Sequence, residues 1–231
     1  MNLTLASIFK AMLQISLLAL TAGTAIAQDV VTLKVHHFLP PSSTAHAKFI
    51  VPWCDKIAKE SNNRMKCQIY PAMQLGGTPA QLFDQAKDGV ADIIWTVPGY
   101  QAGRFTVSEA FELPFIVTST EKGSRALWHY ATKNAMQEFK GVKPILFHLH
   151  DGNLLHTARK QIKSLEDFRG AKVRAATRQS TKMLTALGAT PVPMPLPQTP
   201  ESLAKGVIDG ALIPWEVSPA LKLEEIAQFH T

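Results

Sequence analysis

Apolar and polar residues alternate through VTLKVHHF (residues 31–38), the period-two pattern of a strand with one buried face. From Ser43 the spacing lengthens, and Phe49, Ile50, Trp53 and Ile57 recur as on the inner face of a helix. MKCQIY (65–70) returns to strand alternation. TPAQLFDQAKDGVADIIWTV then opens with Thr78 as N-cap and Pro79 at the first helical position. It closes at Gly89 and enters an apolar strand with Ile93, Ile94 and Trp95. A loop and the segment FELPFIV lead to a predicted helix from about Glu121 to Phe139, with Leu127, Tyr130, Met136 and Phe139 inward, and to a strand PILFHLH (144–150). Strands separated by helices predict an α/β fold with parallel pairing.

One unit occurs twice. TPESLAKGVIDGALIPW repeats the Thr-Pro opening at Thr199 and Pro200, with Leu203 three residues after the proline as Leu82 follows Pro79. Gly206-Val207-Ile208-Asp209 matches Gly89-Val90-Ala91-Asp92, and an apolar strand follows in both copies. Two α/β lobes of similar construction follow from this repeat, the first over residues 28–149 and the second over 150–213. DGNLLHTARKQI carries the chain between them, and 214–231 is expected to return to the first lobe.

The candidate chemistry lies in FRGAKVRAATR (168–178). Ala171, Val173 and Ala175 alternate with Lys172 and Arg174, and a helix with Met183, Leu184 and Leu187 on one side follows at once. Thr177 or Ser180 is its N-cap, and Gly188 stops it. Arg174 therefore stands at the carboxyl end of a strand, where open α/β sheets bind ligands, beside a helix N-terminus that favours anions. A guanidinium holds a carboxylate through two parallel hydrogen bonds, which an ammonium does not. Trp95 and Trp215 end equivalent strands in the two units and are candidate cleft walls.

Composition narrows the classes. The first 27 residues contain Lys10, no acid, an apolar run from Ala11 to Ala22 and the small-residue site Ala25-Ile26-Ala27, the layout of a secretory signal peptide. The apolar run is too short for a membrane span, and no later segment is long enough. The formal charge of +6 is scattered among acids, which argues against a nucleic-acid footprint. Cys54 and Cys67 form an even pair, and export favours a disulfide over two buried thiols.

His148, His150 and Asp151, or His36 and His37, raise a metal reading. Alternation on a strand works against convergence of the three ligands that a zinc site requires. There is no G-x-S-x-G elbow and no H-E-x-x-H, so an exported metal-dependent hydrolase is the weaker alternative to a binding protein.

YPAMQLGG, DGVADIIW, FELPF, SLEDFRGAKVR, GATPVPM and DGALIPWE together resemble the DctP-type substrate-binding proteins of tripartite ATP-independent periplasmic (TRAP) transporters, over nearly all of the mature chain. FRGAKVR followed by GATPVPM carries most of the specificity. The resemblance implies a type II-like periplasmic binding protein with two lobes around a cleft. It implies capture of an organic acid anion without a cofactor, and delivery to a permease of one small and one large membrane subunit. A sensory receptor as recipient stays open.

By the same resemblance Arg174 pairs with the ligand carboxylate, Arg104 reaches the cleft in some members, and Trp215 occupies a variable cleft position. Some relatives hold a cation beside this strand, which makes Glu216 a candidate ligand. The family's arginine before SLEDFRG falls on Arg159-Lys160, with either residue open as the cleft contact. Family members also continue past the position of Thr231. A C-terminally incomplete fold is therefore expected, with apolar surface exposed around FELPF and LKLEEIAQF.

Overall fold

The computed structural model describes residues 29–231, so the signal-peptide reading of residues 1–27 lies outside the described residues. The first sheet contains β1 (Val31–His37), β2 (Met65–Tyr70) and β3 (Ile93–Trp95) in the order β2-β1-β3, all parallel. Helix α1 (Val51–Glu60) connects β1 to β2, and α2 (Leu82–Lys87) connects β2 to β3. Helix α3 (Thr120–Asn134) follows the FELPF loop. The second sheet contains β4 (Asn153–Thr157), β5 (Lys172–Ala175), β6 (Thr190–Pro193), β7 (Gly210–Pro214) and β8 (Phe229–His230), in the order β6-β5-β7-β4-β8. Its β5, β6 and β7 are parallel, and β4 runs antiparallel to β7 and β8. Helices α4 (Arg178–Ala186) and α5 (Thr199–Ala204) make the crossovers.

The repeated unit has the same construction in both sheets. Gly89 and Gly206 end their helical turns at φ +76° and +70°, the left-handed region that a side chain strains. Three residues later an aspartate clamps the neighbouring strand. Asp92 Oδ2 accepts from Lys34 N at 2.7 Å, and Asp209 Oδ2 accepts from Lys172 N at 2.8 Å. The returning backbone bonds, Asp92 N to Lys34 O and Asp209 N to Lys172 O, fix the register of the next strand. Gly and Asp thus set the stop and docking of each unit, whereas the starts differ: Thr78 is the extended N-cap of the first copy, and Thr199 already lies within its helix, with Gln198 at the N-cap.

A buried cluster joins the two sheets. Phe38, Leu39 and Leu82 from the first side pack with Leu196, Leu203, Ile213 and Leu223 from the second. A separate cluster of Phe83, Phe105, Leu127 and Phe139 holds α3 to the first lobe.

Four expectations are corrected. A π-helical turn over His46–Ile50 precedes α1 and shifts the helical phase, so Ile50 and Cys54 face inward while Phe49 is exposed. Helix α3 ends at Asn134 before a 3₁₀ turn, which leaves Met136 outward. PILFHLH is extended but pairs with no strand among the described residues. Its alternation reflects one-sided packing of Phe147 and Leu149, with Leu149 N donating to Ser124 Oγ. The 214–231 segment does not pair with the first sheet. β8 adds to β4, and Thr231 exchanges backbone hydrogen bonds with Leu155. Leu223 and Ala227 are buried by that return, so LKLEEIAQF is not an exposed apolar stretch. In the FELPF loop, Leu113, Phe115 and Ile116 are exposed.

Cys54 and Cys67 are disulfide-bonded and tie α1 to β2, with Cα atoms 5.6 Å apart. Closing a loop of this length is worth about 3 kcal/mol through the unfolded chain. Cys54→Ala/Cys67→Ala should lower the urea midpoint accordingly, and exported wild type should gain mass only after reduction and alkylation. Unreduced protein that alkylates at both thiols would contradict the bridge.

Candidate functional site

The carboxyl ends of β1, β3, β5 and β7 approach one another where the two sheets meet. His37, Phe38 and Trp95 come from the first sheet, and Arg174 and Trp215 from the second. Trp95 lies opposite His37 in the β1–β3 register, and its ring stands 5.4 Å from that of Phe38. Its Nε1 donates to His148 Nε2 at 2.9 Å, and the two rings stack. Trp215 leaves β7 half exposed and packs edge-on against His156, 4.9 Å between centroids.

Arg174 is 2 % exposed. Its Nε donates to Met194 O, just past β6, at 3.1 Å and its Nη1 to Leu212 O, in the middle of β7, at 2.9 Å. Among the described residues no carboxylate pairs with it, and the Tyr100 hydroxyl is the polar group beside its guanidinium. Burial lowers its pKa from the ordinary guanidinium value, while Tyr100 opposes that shift. A buried cation without a counter-ion costs free energy that an incoming anion recovers.

Helix α4 begins just beyond Arg174, with the Thr177 side chain as its N-cap. The first lobe closes against this point. A 3₁₀ turn, Ser108–Glu112, is anchored by Glu138, whose carboxylate accepts from Val107 N and Ser108 N. From this turn Glu109, 3 % exposed, accepts from Arg178 Nε at 3.0 Å and from Gln179 Nε2 at 3.1 Å. Burial raises the pKa of the neighbouring Glu112, and its Oε2 has no partner among the described residues. A Cβ on Gly99 would stand 2.5 Å from Glu112 Oε1 and 2.6 Å from Thr177 Cγ2, so only glycine permits this approach of the lobes. Tyr100, next in sequence, receives Leu196 N on its hydroxyl at 3.2 Å.

The other sequence candidates lie elsewhere or are already engaged. Arg104 donates to Asp84 Oδ1 at 2.7 Å and lies over the Phe83 ring. Arg159 lies beyond the end of β4, opposite the start of β7, and its Nη1 is 3.3 Å from where a Cβ on Gly206 would sit. That is the opposite end of the sheet from Trp215, and Lys160 pairs with Asp167 at 3.2 Å. Glu216 is exposed, and no group of three metal-ligating side chains occurs among the described residues. Tyr100, Arg178 and Gln179 escaped sequence reasoning. One signal was available: a cation in the first turn of a helix opposes the dipole, and Arg178 therefore implies an acidic partner.

Residues 35–231 match the family model described as bacterial extracellular solute-binding protein, family 7 (DctP). A TRAP solute-binding protein from Rhodoferax ferrireducens T118, solved with copurified benzoate, is 53% identical over 87% of this chain and 62% of that one, TM-score 0.85. A marine metagenome TRAP solute-binding protein specific for aromatic acid ligands, solved with 3-hydroxybenzoate, is 50% identical over 87% of this chain and 63% of that one, TM-score 0.84. The ectoine-binding periplasmic protein TeaA of Halomonas elongata is 26% identical over 74% of this chain and 54% of its own. The chain thus spans less than two thirds of the length of these relatives.

His37 generates a pH prediction. Its Nδ1 accepts from Leu39 N and its Nε2 meets His46 Nδ1 at 2.9 Å, an arrangement that needs a neutral ring. Burial, with His46 and His36 close by, lowers its pKa to about 4. The unfolded chain binds this proton near pH 6.5 and the folded chain near 4, so stability is full above 6.5 and falls as pH drops towards 4. A loss of about 1–3 kcal/mol over that window is expected in urea melts. His36, His46, His148 and His156 are lowered in the same direction and add to it. A flat profile between pH 7 and 4 would contradict the neutral-histidine assignment.

Proposed function

Because the chain belongs to the bacterial extracellular solute-binding proteins of family 7, we propose that it is an extracytoplasmic receptor for an organic acid anion. The anion binds in the interlobe cleft and is passed to a TRAP-type membrane permease for uptake driven by an ion gradient. The observation that carries this reading is Arg174, a buried guanidinium held by two carbonyls with no carboxylate partner among the described residues. The carbonyls take two of its donors and leave the rest of the fork for a ligand, while α4 contributes the positive end of its dipole.

The aromatic surroundings favour an aromatic acid. Phe38 packs against both Trp95 and Tyr100 at the first lobe's strand ends, and Trp215 is half exposed at the end of β7. Flat rings lose little conformational entropy on burial against such walls. The two relatives at 53% and 50% identity were solved with benzoate and 3-hydroxybenzoate, which agrees with that choice. Arg104, Trp95 and Trp215 belong to this reading as wall residues, Arg104 through its stacking on Phe83 and not as a free cation. Periplasmic residence, delivery to the permease subunits and binding without turnover complete it.

Arg174→Lys keeps the charge and loses the planar fork. By titration calorimetry with benzoate it should weaken binding by about 1.5–3 kcal/mol, the scale of a charged hydrogen bond. Benzoate should be recovered chemically unchanged from wild type. Equal affinities in the two proteins would overturn Arg174 as the clamp.

A further inference from the structure

We propose that the cleft accepts one carboxylate and rejects a second, because the chain's own acids already neutralise Arg178 at the seam and Arg104 in the first lobe. This rests on the carboxylate reading above and concerns how many anionic groups the ligand carries.

Three arginines bear on this: Arg174 and Arg178 at the junction of the lobes, and Arg104 within the first lobe. Arg174 has no acidic partner among the described residues. Arg104 is paired with Asp84, which also accepts from Gln101 Nε2 at 2.9 Å. Arg178 is paired with Glu109 across the lobes, 69 residues away in sequence, and Gln179 donates to the same carboxylate oxygen. Asp84 and Glu109 therefore already occupy the guanidinium groups that a second ligand carboxylate would need. Glu112 adds a further acid on the same turn, with a buried oxygen that lacks a partner.

The histidines supply no extra cation. His37 and His36 at the end of β1, and His148 beside Trp95, accept hydrogen bonds from Leu39 N, Leu75 N and Trp95 Nε1. Each bond requires an unprotonated nitrogen. A dianion would bring one carboxylate to Arg174 and leave the other desolvated beside Glu109 and Glu112. Selectivity here comes from repulsion and from absent cations as much as from attraction.

The test uses three probes of one ring size: benzoate, isophthalate, and 3-carbamoylbenzoate, which matches isophthalate in shape without the second charge. Calorimetry at pH 7.5 should find 3-carbamoylbenzoate at least tenfold tighter than isophthalate. Glu109→Gln, which frees Arg178, and Asp84→Asn, which frees Arg104, are independent relief variants. At least one should narrow that ratio by threefold or more, and either suffices if the other fails to fold. Equal affinity of wild type for isophthalate and 3-carbamoylbenzoate overturns the inference, as does a ratio that neither variant changes. If wild type binds benzoate no better than an equal concentration of benzamide, the carboxylate reading itself fails, a result distinct from a loss of monoanion selectivity.

Discussion

The site is organised around one unfavourable arrangement, a guanidinium almost wholly removed from water with no carboxylate of the chain to meet it. Arg174 is kept in place by the strands on either side. β6 ends so that Met194 O accepts from its Nε, and β7 places Leu212 O on its Nη1. Carbonyl dipoles moderate the charge without cancelling it, and Tyr100 reaches it from the first lobe. A fold that leaves a charge in this condition gains free energy from an anion that reaches it.

Closure has its own chemistry. Glu109 is carried by a turn whose amides are capped by Glu138, so the arm that reaches Arg178 is fixed to the first lobe. Gly99 lets the next loop come within van der Waals range of Thr177, and Tyr100 then receives Leu196 N. Glu109 holds the lobes together and neutralises Arg178 in doing so, while Asp84 neutralises Arg104 within the first lobe.

The sequence was most legible where one residue type has one local task. Gly at positive φ and Asp three residues after it recur with the same geometry in both sheets, and so the repeat was visible as letters; Thr-Pro recurs in sequence, but Thr78 caps its turn and Thr199 does not. Arg174 was legible for a similar reason, since strand alternation fixes its place and Thr177 caps the helix beyond it. The pattern was less informative where burial and pairing diverge. PILFHLH alternates because Phe147 and Leu149 face the aromatic cluster around α3, and alternation alone does not reveal whether a neighbouring strand is present. Phe49 was misplaced because a π turn changes the phase of a helix without changing its composition. Arg104 and Arg159 illustrate the remaining gap. Arg104 meets Asp84, twenty residues away in sequence, and Arg159 follows the end of β4 opposite the start of β7. Such partners are set by tertiary approach, which local spacing does not record.

The central claim is that Arg174 is retained for an anion at a cost to the empty protein. Its most direct test is the melting temperature of Arg174→Met with and without benzoate. The methionine fills similar volume without charge, and replacing a buried charge in this way is often neutral or stabilising by about 1–4 kcal/mol. The account predicts that the empty variant melts no lower than wild type and that benzoate, which raises the wild-type midpoint, leaves the variant unmoved. A variant that melts well below wild type, or one that benzoate still stabilises to the wild-type extent, would contradict it.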